Sequence, residues 1–161
     1  MIKPKVAIMM GSDSDLKVMN EAAMVLQEFG IGYEIKILSA HRTPKQTIKY
    51  VSAARSRGIK AIIAGAGGAA HLAGVVAAHT VLPVIGVPMQ TEYLKGIDSL
   101  FSTVQMPSGI PVGCMAIGKA GAKNAGLLAA QILAISDKKM TARLEQYREK
   151  LARSVLKKNK N

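Results

Sequence analysis

The sequence has few of the residues that mark several large classes of protein. Cys114 is the one cysteine among 161 residues, which excludes an intrachain disulfide and favours a reducing, cytoplasmic location over a secreted scaffold. There is no tryptophan, and the aromatic residues are limited to four tyrosines and two phenylalanines. None of them interleaves with the basic clusters as base-stacking platforms would. We therefore expect no nucleic-acid partner.

The net charge of +12 is unevenly distributed. The segment from Asp137 onward carries nine Lys or Arg residues and three acids, a net of +6 and half of the total excess. We interpret this as a solvated basic end. The alternative, a nucleic-acid binder, would bind less tightly as salt rises and would lose binding when the residues after Asp137 are deleted.

No segment reads as a targeting or membrane-spanning sequence. The N-terminus lacks the apolar core and cleavage site of a signal peptide. The stretch 61–91 contains no Asp, Glu, Lys or Arg and is long enough to span a bilayer. However, it holds five glycines, and Pro83 and Pro88 would break a single helix. We interpret it as buried backbone near a site and expect no membrane partner.

Short β-rich runs alternate with longer helical stretches along the chain. The predicted strands are Lys5–Met10, Tyr33–Leu38, Ala61–Ala64, Val84–Val87 and Val112–Ile117. The predicted helices run to about Phe29, over Thr43–Arg57, to about His79, over Ala122–Ile135, and from Lys138 to about Leu156. This spacing is typical of βαβ units with a parallel sheet. It predicts an α/β fold, a three-layer α/β/α sandwich with a flavodoxin-like, doubly wound sheet and a C-terminal extension helix.

The predicted domain organisation is one catalytic domain over residues 1–161. Its core covers about 5–135, its C-terminal helix about 137–157 and its basic tail 157–161. The C-terminal helix has an apolar stripe of Met140, Leu144, Tyr147, Leu151 and Val155. That stripe favours packing on its own domain or on a neighbouring subunit, with a basic amphipathic membrane helix as the alternative.

Residues 61–119 indicate a multi-subunit assembly. Only Glu92, Lys95, Asp98 and Lys119 are charged in this segment. A monomer of this size would expose much of such a stretch to water, where large apolar patches are unusual. We therefore predict a homo-oligomer.

Two loops that follow predicted strands carry polar side chains. Gly11-Ser12-Asp13-Ser14-Asp15 follows the first strand and could hold an anion at a helix N-terminus or offer carboxylates to sugar hydroxyls, although simple helix capping explains it equally well. Ser39-Ala40-His41-Arg42-Thr43-Pro44 follows the second strand. There Arg42 provides a donor fork for phosphate, and His41 can exchange a proton near neutral pH. A purely structural role for His41 remains open.

A third loop is rich in glycine and lies after the third predicted strand. Gly65-x-Gly67-x-x-Ala70 partly matches the dinucleotide fingerprint, but it does not follow the first strand and no acidic residue follows at the required distance. Its glycines would let a ligand approach the backbone closely. No GxxxxGK[ST] sequence and no cluster with metal-ligand spacing occurs, so neither ATP chemistry of the P-loop kind nor a metal site is indicated.

Five motifs, in this order, resemble a single family. They are Gly11–Asp15, Ser39–Pro44, Gly65–Leu72, Gln105–Gly109 and Gly118–Gln131, and the resemblance runs from Val6 to about Leu133. The family is the mutase of purine biosynthesis that interconverts two carboxylated aminoimidazole ribonucleotides. The resemblance implies a cytoplasmic homo-octamer with a flavodoxin-like fold that needs no metal or nucleotide cofactor.

The resemblance also implies roles for individual residues. His41 falls on the catalytic histidine, which acts as general acid and then as general base. Matched in the same way, the substrate-binding positions are Gly11, Ser12, Asp15, Ser39, Arg42, Gly67, His71 and Leu72. A related subgroup carboxylates aminoimidazole ribonucleotide directly, but the Gly67–Leu72 run resembles the mutases. Ala73 stands where the mutases usually carry proline, which affects the expected stiffness of this loop and not the reaction class.

An alternative function is binding without catalysis. The same strand-end loops could form a non-catalytic module that binds a nucleotide or a flavin. Such a module needs no histidine in its site, so His41→Asn would leave its ligand affinity nearly unchanged.

Overall fold

The structure of the protein is a computed structural model that describes residues 3–159. Its centre is a parallel sheet of five strands in the order β2-β1-β3-β4-β5. The strands are β1 (Val6–Met10), β2 (Tyr33–Ile37), β3 (Ala61–Ala66), β4 (Val84–Pro88) and β5 (Gly113–Cys114). This strand order is that of the flavodoxin-like doubly wound fold, so the predicted fold class is confirmed.

The sheet register brings the ends of three strands to one edge. Met10 at the end of β1 pairs with Ile37 of β2 on one side and with Gly65 of β3 on the other. The strands β1 and β4 are buried along their whole length, because helices cover both faces. The loops after β1, β2 and β3 therefore start side by side at the carboxyl edge, where ligands bind in such sheets.

Helices form a layer on each side of the sheet. One buried cluster joins the sheet to α1, α5 and α6, and a second joins its other face to α2 and α3. The helix bounds are α1 (Leu16–Glu28), α2 (Pro44–Ser52), α3 (Leu72–Ala78), α4 (Ile97–Val104), α5 (Lys119–Ala134) and α6 (Lys138–Lys157).

Some predicted element boundaries were wrong. The helix α2 ends at Ser52 rather than Arg57, since the backbone hydrogen bonds that follow have mixed spacings (Gly58 N–H to Arg55 O spans three residues, at 3.0 Å) and a turn leads to the buried Ile59. The strand β5 covers two residues rather than the predicted 112–117, because it is an edge strand that pairs only with β4 before the chain turns away at Gly118.

The helix α4 was missed by the sequence analysis because its polarity is inverted. Its buried side chains are Ser99 and Thr103, whereas Ile97, Phe101 and Val104 are exposed. An amphipathic helix that packs on its own domain has the opposite arrangement. The Cβ that a side chain at Gly86 would add lies 2.4 Å from Thr103 Cγ2, so the polar side of α4 packs tightly on β4.

The C-terminal helix α6 packs on the domain through its first half. Asp137 caps it by accepting hydrogen bonds from the Lys139 and Met140 N–H groups at 3.0 and 3.1 Å. Of the predicted stripe, Met140 and Leu144 are buried and Tyr147 packs edge-on against Phe29, whereas Leu151 and Val155 are exposed. Across residues 3–159 no helix is both long and apolar enough to cross a membrane. The last two residues of the predicted basic tail, 160 and 161, lie outside the described residues.

A polar cluster ties the edge strand β2 to the end of α2. Glu34 accepts hydrogen bonds from Tyr50 Oη at 2.7 Å and from Arg57 Nη1 at 2.5 Å, and the guanidinium of Arg57 lies 4.5 Å from the Tyr50 ring centre. Burial raises the pKa of Glu34, but the hydrogen bonds from Tyr50 and Arg57 and the nearby positive charges outweigh it and lower the pKa below 4.5.

Glu34→Gln is expected to destabilise the fold by about 0.5–1 kcal/mol near pH 7, because the partly exposed ion pair is screened by solvent. Since the folded-state pKa of Glu34 is lowered, its stabilisation is present above the unfolded value of 4.5 and is lost as pH falls through the folded-state pKa. Urea unfolding at pH 7 and below pH 4.5 should therefore show a difference from wild type that shrinks on acidification. Glu149→Gln, in the exposed Arg153 pair, is the control and should change stability little at either pH. A loss of unfolding free energy in Glu34→Gln that grows at low pH would contradict this account.

Candidate active site

A cavity of about 400 Å³ lies at the carboxyl edge of the sheet, between the loops that follow β1, β2 and β3. All nine residues singled out from the sequence line it, although they come from three separate segments of the chain. Ser14, Ala40, Ala66 and Ala70 complete the lining and were not singled out. The described lining is Gly11, Ser12, Ser14, Asp15, Ser39, Ala40, His41, Arg42, Ala66, Gly67, Ala70, His71 and Leu72.

In the first loop, one polar residue caps a helix and another is available for ligand binding. Ser12 accepts a hydrogen bond from the Ser14 N–H at 3.3 Å and caps a short 3₁₀ turn over Asp13–Asp15. Asp15 is at the N-cap of α1, but its carboxylate makes no capping hydrogen bond. Capping therefore accounts for Ser12 and leaves the Asp15 carboxylate facing the cavity.

The environment of Asp15 disfavours its negative charge. Partial burial raises the pKa of Asp15, the hydrogen bond from Ser14 opposes this rise, and the neighbouring Asp13 adds to it. A half-buried carboxylate with unused acceptor capacity is suited to accepting hydrogen bonds from hydroxyl groups of a ligand. An anionic group placed beside Asp15 would instead be repelled.

The second loop is shaped by Ser39 and Thr43. The Ser39 hydroxyl accepts hydrogen bonds from the N–H groups of His41 and Arg42 at 3.3 and 3.1 Å. The Thr43 hydroxyl accepts from the Ser39 N–H at 2.8 Å, so it closes the loop instead of capping α2, and Pro44 is the first residue of that helix. These bonds fix the backbone from which the side chains of His41 and Arg42 extend into the cavity.

Arg42 connects the first two loops. Its Nη2 donates a hydrogen bond to the carbonyl oxygen of Gly11 at 2.5 Å. A guanidinium has five N–H donors in a planar fork, so this bond leaves most of them available. Arg42 is exposed at the cavity and can present those donors to a phosphate.

The imidazoles of His41 and His71 are in direct contact. His41 Nε2 lies 2.6 Å from His71 Nδ1, and the rings meet edge to face with their centres 4.8 Å apart. A hydrogen bond at this distance requires one of the two nitrogens to carry a proton and the other to accept it. The pair can therefore hold and pass a proton at the wall of the cavity.

The third loop has an unusual backbone between Gly67 and His71. Gly68 and Ala70 adopt positive φ angles of 65° and 43°, and the second of these is uncommon for a residue with a side chain. The Gly68 N–H donates to the hydroxyl of the buried Ser99 at 3.0 Å. Ser99 was missed by the sequence analysis, because α4 itself was not predicted.

Residues 5–154 match the family described as AIR carboxylase. The chain belongs to the AIR carboxylase family. A relative from Thermotoga maritima named N5-carboxyaminoimidazole ribonucleotide mutase is 58% identical over 155 residues, covering 96% of this chain and 90% of the relative. A protein of the same name from Bacillus subtilis is 56% identical over 155 residues and is covered to 96%, as is this chain. The crystal structure of Treponema denticola PurE is 32% identical, with a TM-score of 0.87 and coverage of 96% of this chain and 95% of that one.

Other features of this AIR carboxylase family member lie outside the cavity. Of the five motifs, Gln105–Gly109 and Gly118–Gln131 contribute none of its lining residues. A larger cavity of about 680 Å³ is lined by residues that precede β4 and β5, together with Arg55 and His79. It lies away from the carboxyl edge, where ligands bind in this fold class, and so it is not the candidate site.

Among residues 3–159 no three His, Cys, Asp or Glu side chains are grouped to hold a metal ion.

Proposed function

We propose that the protein is an N5-carboxyaminoimidazole ribonucleotide mutase, which converts 5-(carboxyamino)imidazole ribonucleotide to 4-carboxy-5-aminoimidazole ribonucleotide in purine biosynthesis. The observation that carries the proposal is the contact of His41 with His71, 2.6 Å apart in a cavity that also contains a guanidinium, hydroxyls and a carboxylate. The names of the relatives that are 56–58% identical support the mutase over a direct carboxylase. The activity would belong to a single domain acting in the cytoplasm without metal or cofactor.

The cavity has one group for each part of a ribonucleotide. The exposed guanidinium of Arg42 binds the phosphate through parallel N–H donors. The hydroxyl of Ser12 and the carboxylate of Asp15 bind the ribose hydroxyls. The exposed backbone of Gly67 lets the imidazole ring approach closely, and His71 and Leu72, which also line the cavity, cover the ring.

The reaction moves carbon dioxide from nitrogen to carbon and a proton in the opposite direction. As the carbamate C–N bond breaks, its electron pair stays on nitrogen, carbon dioxide leaves, and protonated His41 donates a proton to that nitrogen. The enamine-like ring carbon then attacks the carbon of the trapped carbon dioxide. Neutral His41 removes the proton from this ring carbon, which restores aromaticity and returns His41 to its starting state.

The surroundings of His41 suit both halves of this cycle. Ser39 fixes the backbone N–H of His41, and His71 can hold or release a proton at the nitrogen it shares. The lining between Ala66 and Ala70 is free of charged side chains. These side chains contain no nucleophile that would compete with the substrate ring for a trapped carbon dioxide molecule.

The direct test uses purified protein and 4-carboxy-5-aminoimidazole ribonucleotide, with no ATP, metal or added bicarbonate. Ultraviolet absorbance should show reversible equilibration with the carboxyamino isomer. Activity that requires aminoimidazole ribonucleotide and high carbon dioxide would instead assign the direct carboxylase reaction. Absence of both activities in a folded protein would favour a non-catalytic nucleotide- or flavin-binding module.

We also propose that the chain assembles as a homo-oligomer, with eight subunits as the family resemblance implies. The exposed side of α4 presents Ile97, Phe101 and Val104 with exposed fractions of 52%, 60% and 49%, and Tyr93 and Leu94 extend this surface. Such a surface is unfavourable in water and is covered when a second copy packs on it. His41 and His71 are also exposed in a single chain, so excluding water from the reaction requires a cover from outside the chain.

Light scattering of the wild type should therefore give a mass close to eight times the 17.0 kDa chain. Phe101→Glu places a charge in the apolar surface and should shift the protein to smaller species. Met24→Glu, at a similarly exposed apolar residue on α1 in the other helix layer, is the matched control. Unchanged mass in Phe101→Glu would show that this surface is not between subunits.

A further inference from the structure

We infer that Ser99 is a positioning residue for the reaction: its hydroxyl holds the Gly68 N–H and thereby keeps His71 against His41. The inference rests on the proposed function for its catalytic consequence. Its structural part concerns only how α4 holds the third loop and can be tested without substrate.

Ser99 is a buried polar residue with a specific partner in the loop. Its side chain has no exposure to solvent, and its Oγ accepts the Gly68 N–H at 3.0 Å. Among the hydrogen bonds of residues 3–159, α4 makes one other with Gly68, a longer one from the Ser102 hydroxyl to the Gly68 carbonyl at 3.4 Å. A buried hydroxyl of this kind contributes through the hydrogen bond it makes, since apolar burial adds little for serine.

The third loop needs an external contact to keep its shape. Ala70, at a φ of 43°, is in the left-handed region, which is unfavourable for a residue with a Cβ and persists where surrounding contacts impose it. Within the loop the Ala70 N–H donates to the Gly67 carbonyl at 3.2 Å. The bond from Gly68 to Ser99 attaches this turn to a helix, and His71 follows immediately after Ala70.

The helix α4 is itself attached at both ends, so it can act as a fixed support. Near its start, Thr91 donates to Asp98 at 2.8 Å and accepts from the Gly96 N–H at 3.1 Å. Further along, the methyl group of Thr103, which valine would retain, packs on Gly86 of β4, whereas its hydroxyl bonds within the helix, to the Ser99 carbonyl at 2.7 Å. The hydroxyl of Ser99 is therefore held in place relative to β4 and the sheet.

Loss of the Ser99 hydroxyl should affect the turnover step more than substrate binding. Releasing Gly68 frees the turn that carries His71, so the contact between His71 and His41 is populated less of the time. The groups proposed to bind phosphate and ribose, Arg42 and Asp15, are on the other two loops and keep their positions. The expected result is a fall in kcat with a much smaller change in KM.

The test compares Ser99→Ala with Thr103→Val. Both remove a buried hydroxyl from the inner side of α4, but only Ser99 contacts the third loop. Ser99→Ala should lower kcat about 10-fold, the equivalent of one hydrogen bond, with KM changed less than about threefold. Hydrogen–deuterium exchange in the peptide covering 65–72 should accelerate in Ser99→Ala and stay at the wild-type rate in Thr103→Val.

Several outcomes would overturn the inference. Unchanged exchange over 65–72 in Ser99→Ala would show that Ser99 does not hold the loop. Equal loss of kcat in both variants would assign Ser99 a general structural role. Should Ser99→Ala not fold, Ser99→Cys keeps the side-chain volume and a weak acceptor, and its exchange rate should lie above that of wild type. If the wild type lacks mutase activity, the proposed function fails, while the exchange data still decide whether Ser99 holds the loop.

Discussion

His41→Asn is expected to lower the rate of isomer interconversion by about 10²–10⁴-fold, the usual contribution of general acid–base catalysis. Asparagine can form hydrogen bonds in the same space, but it cannot perform the proton transfer that we propose for His41. Because the side chain is exposed at the edge of the cavity, the fold should be unaffected. Ultraviolet absorbance with either isomer measures the rate, and thermal unfolding checks the fold.

Two further histidine variants make the His41 result specific. His71→Asn removes the partner at 2.6 Å and should lower the rate less than His41→Asn, because His41 retains its own transferable proton. His79→Asn is the control, since Nδ1 of His79 lies 2.8 Å from the Val75 carbonyl and the side chain lies outside the candidate cavity. Near-normal activity in His41→Asn would remove His41 from the mechanism, and equal loss in all three variants would indicate a change in folding.

Arg42→Gln should raise the KM for the ribonucleotide by about 10- to 100-fold, as expected when hydrogen bonds to a charged group are lost. The guanidinium is the positively charged group that lines the cavity, and its bond to Gly11 aligns it across the first two loops. Arg42→Lys keeps the charge but loses the planar donor fork, so its KM should lie between those of wild type and Arg42→Gln. Initial rates across a range of substrate concentrations measure this.

Lys45→Gln is the matched control for Arg42. It removes a positive charge three residues away, from the exposed first turn of α2, and its side chain is not part of the cavity lining. A similar rise in KM for both variants would show that general electrostatic attraction, and not a phosphate contact, explains the effect of Arg42. A fall in kcat alone would indicate that the bond to Gly11 positions the loops.

The parallel fold could be predicted from the sequence because its central strands β1, β3 and β4 are buried on both faces. Continuous apolar runs such as Val6–Met10 and Ala61–Ala64 have no polar alternation that would suggest an exposed sheet face. Once those runs are parallel, the loops that follow them must meet at one edge. The grouping of Ser12, Arg42 and Gly67 around one cavity follows from this topology.

Other features could not be predicted, for identifiable physical reasons. The helix α4 has polar residues inside and apolar residues outside, so periodicity analysis cannot place it against its own core. The contact between His41 and His71 joins residues 30 positions apart and depends on a positive φ at Ala70, a residue type that rarely adopts it. The bond between Ser99 and Gly68 combines both difficulties.

The inverted polarity of α4 limits how independently the surface and the site of this protein can change. Within eight residues, one side of the helix supports the loop that carries His71, and the other side is an apolar surface suited to another copy. A substitution on the outer side that shifts or unwinds the helix would also move Ser99 on its inner side, which contacts the loop. Attempts to engineer a monomeric version of this enzyme would therefore have to redesign α4 as a whole, because the proposed subunit contact and the proposed support of the third loop share the same eight residues.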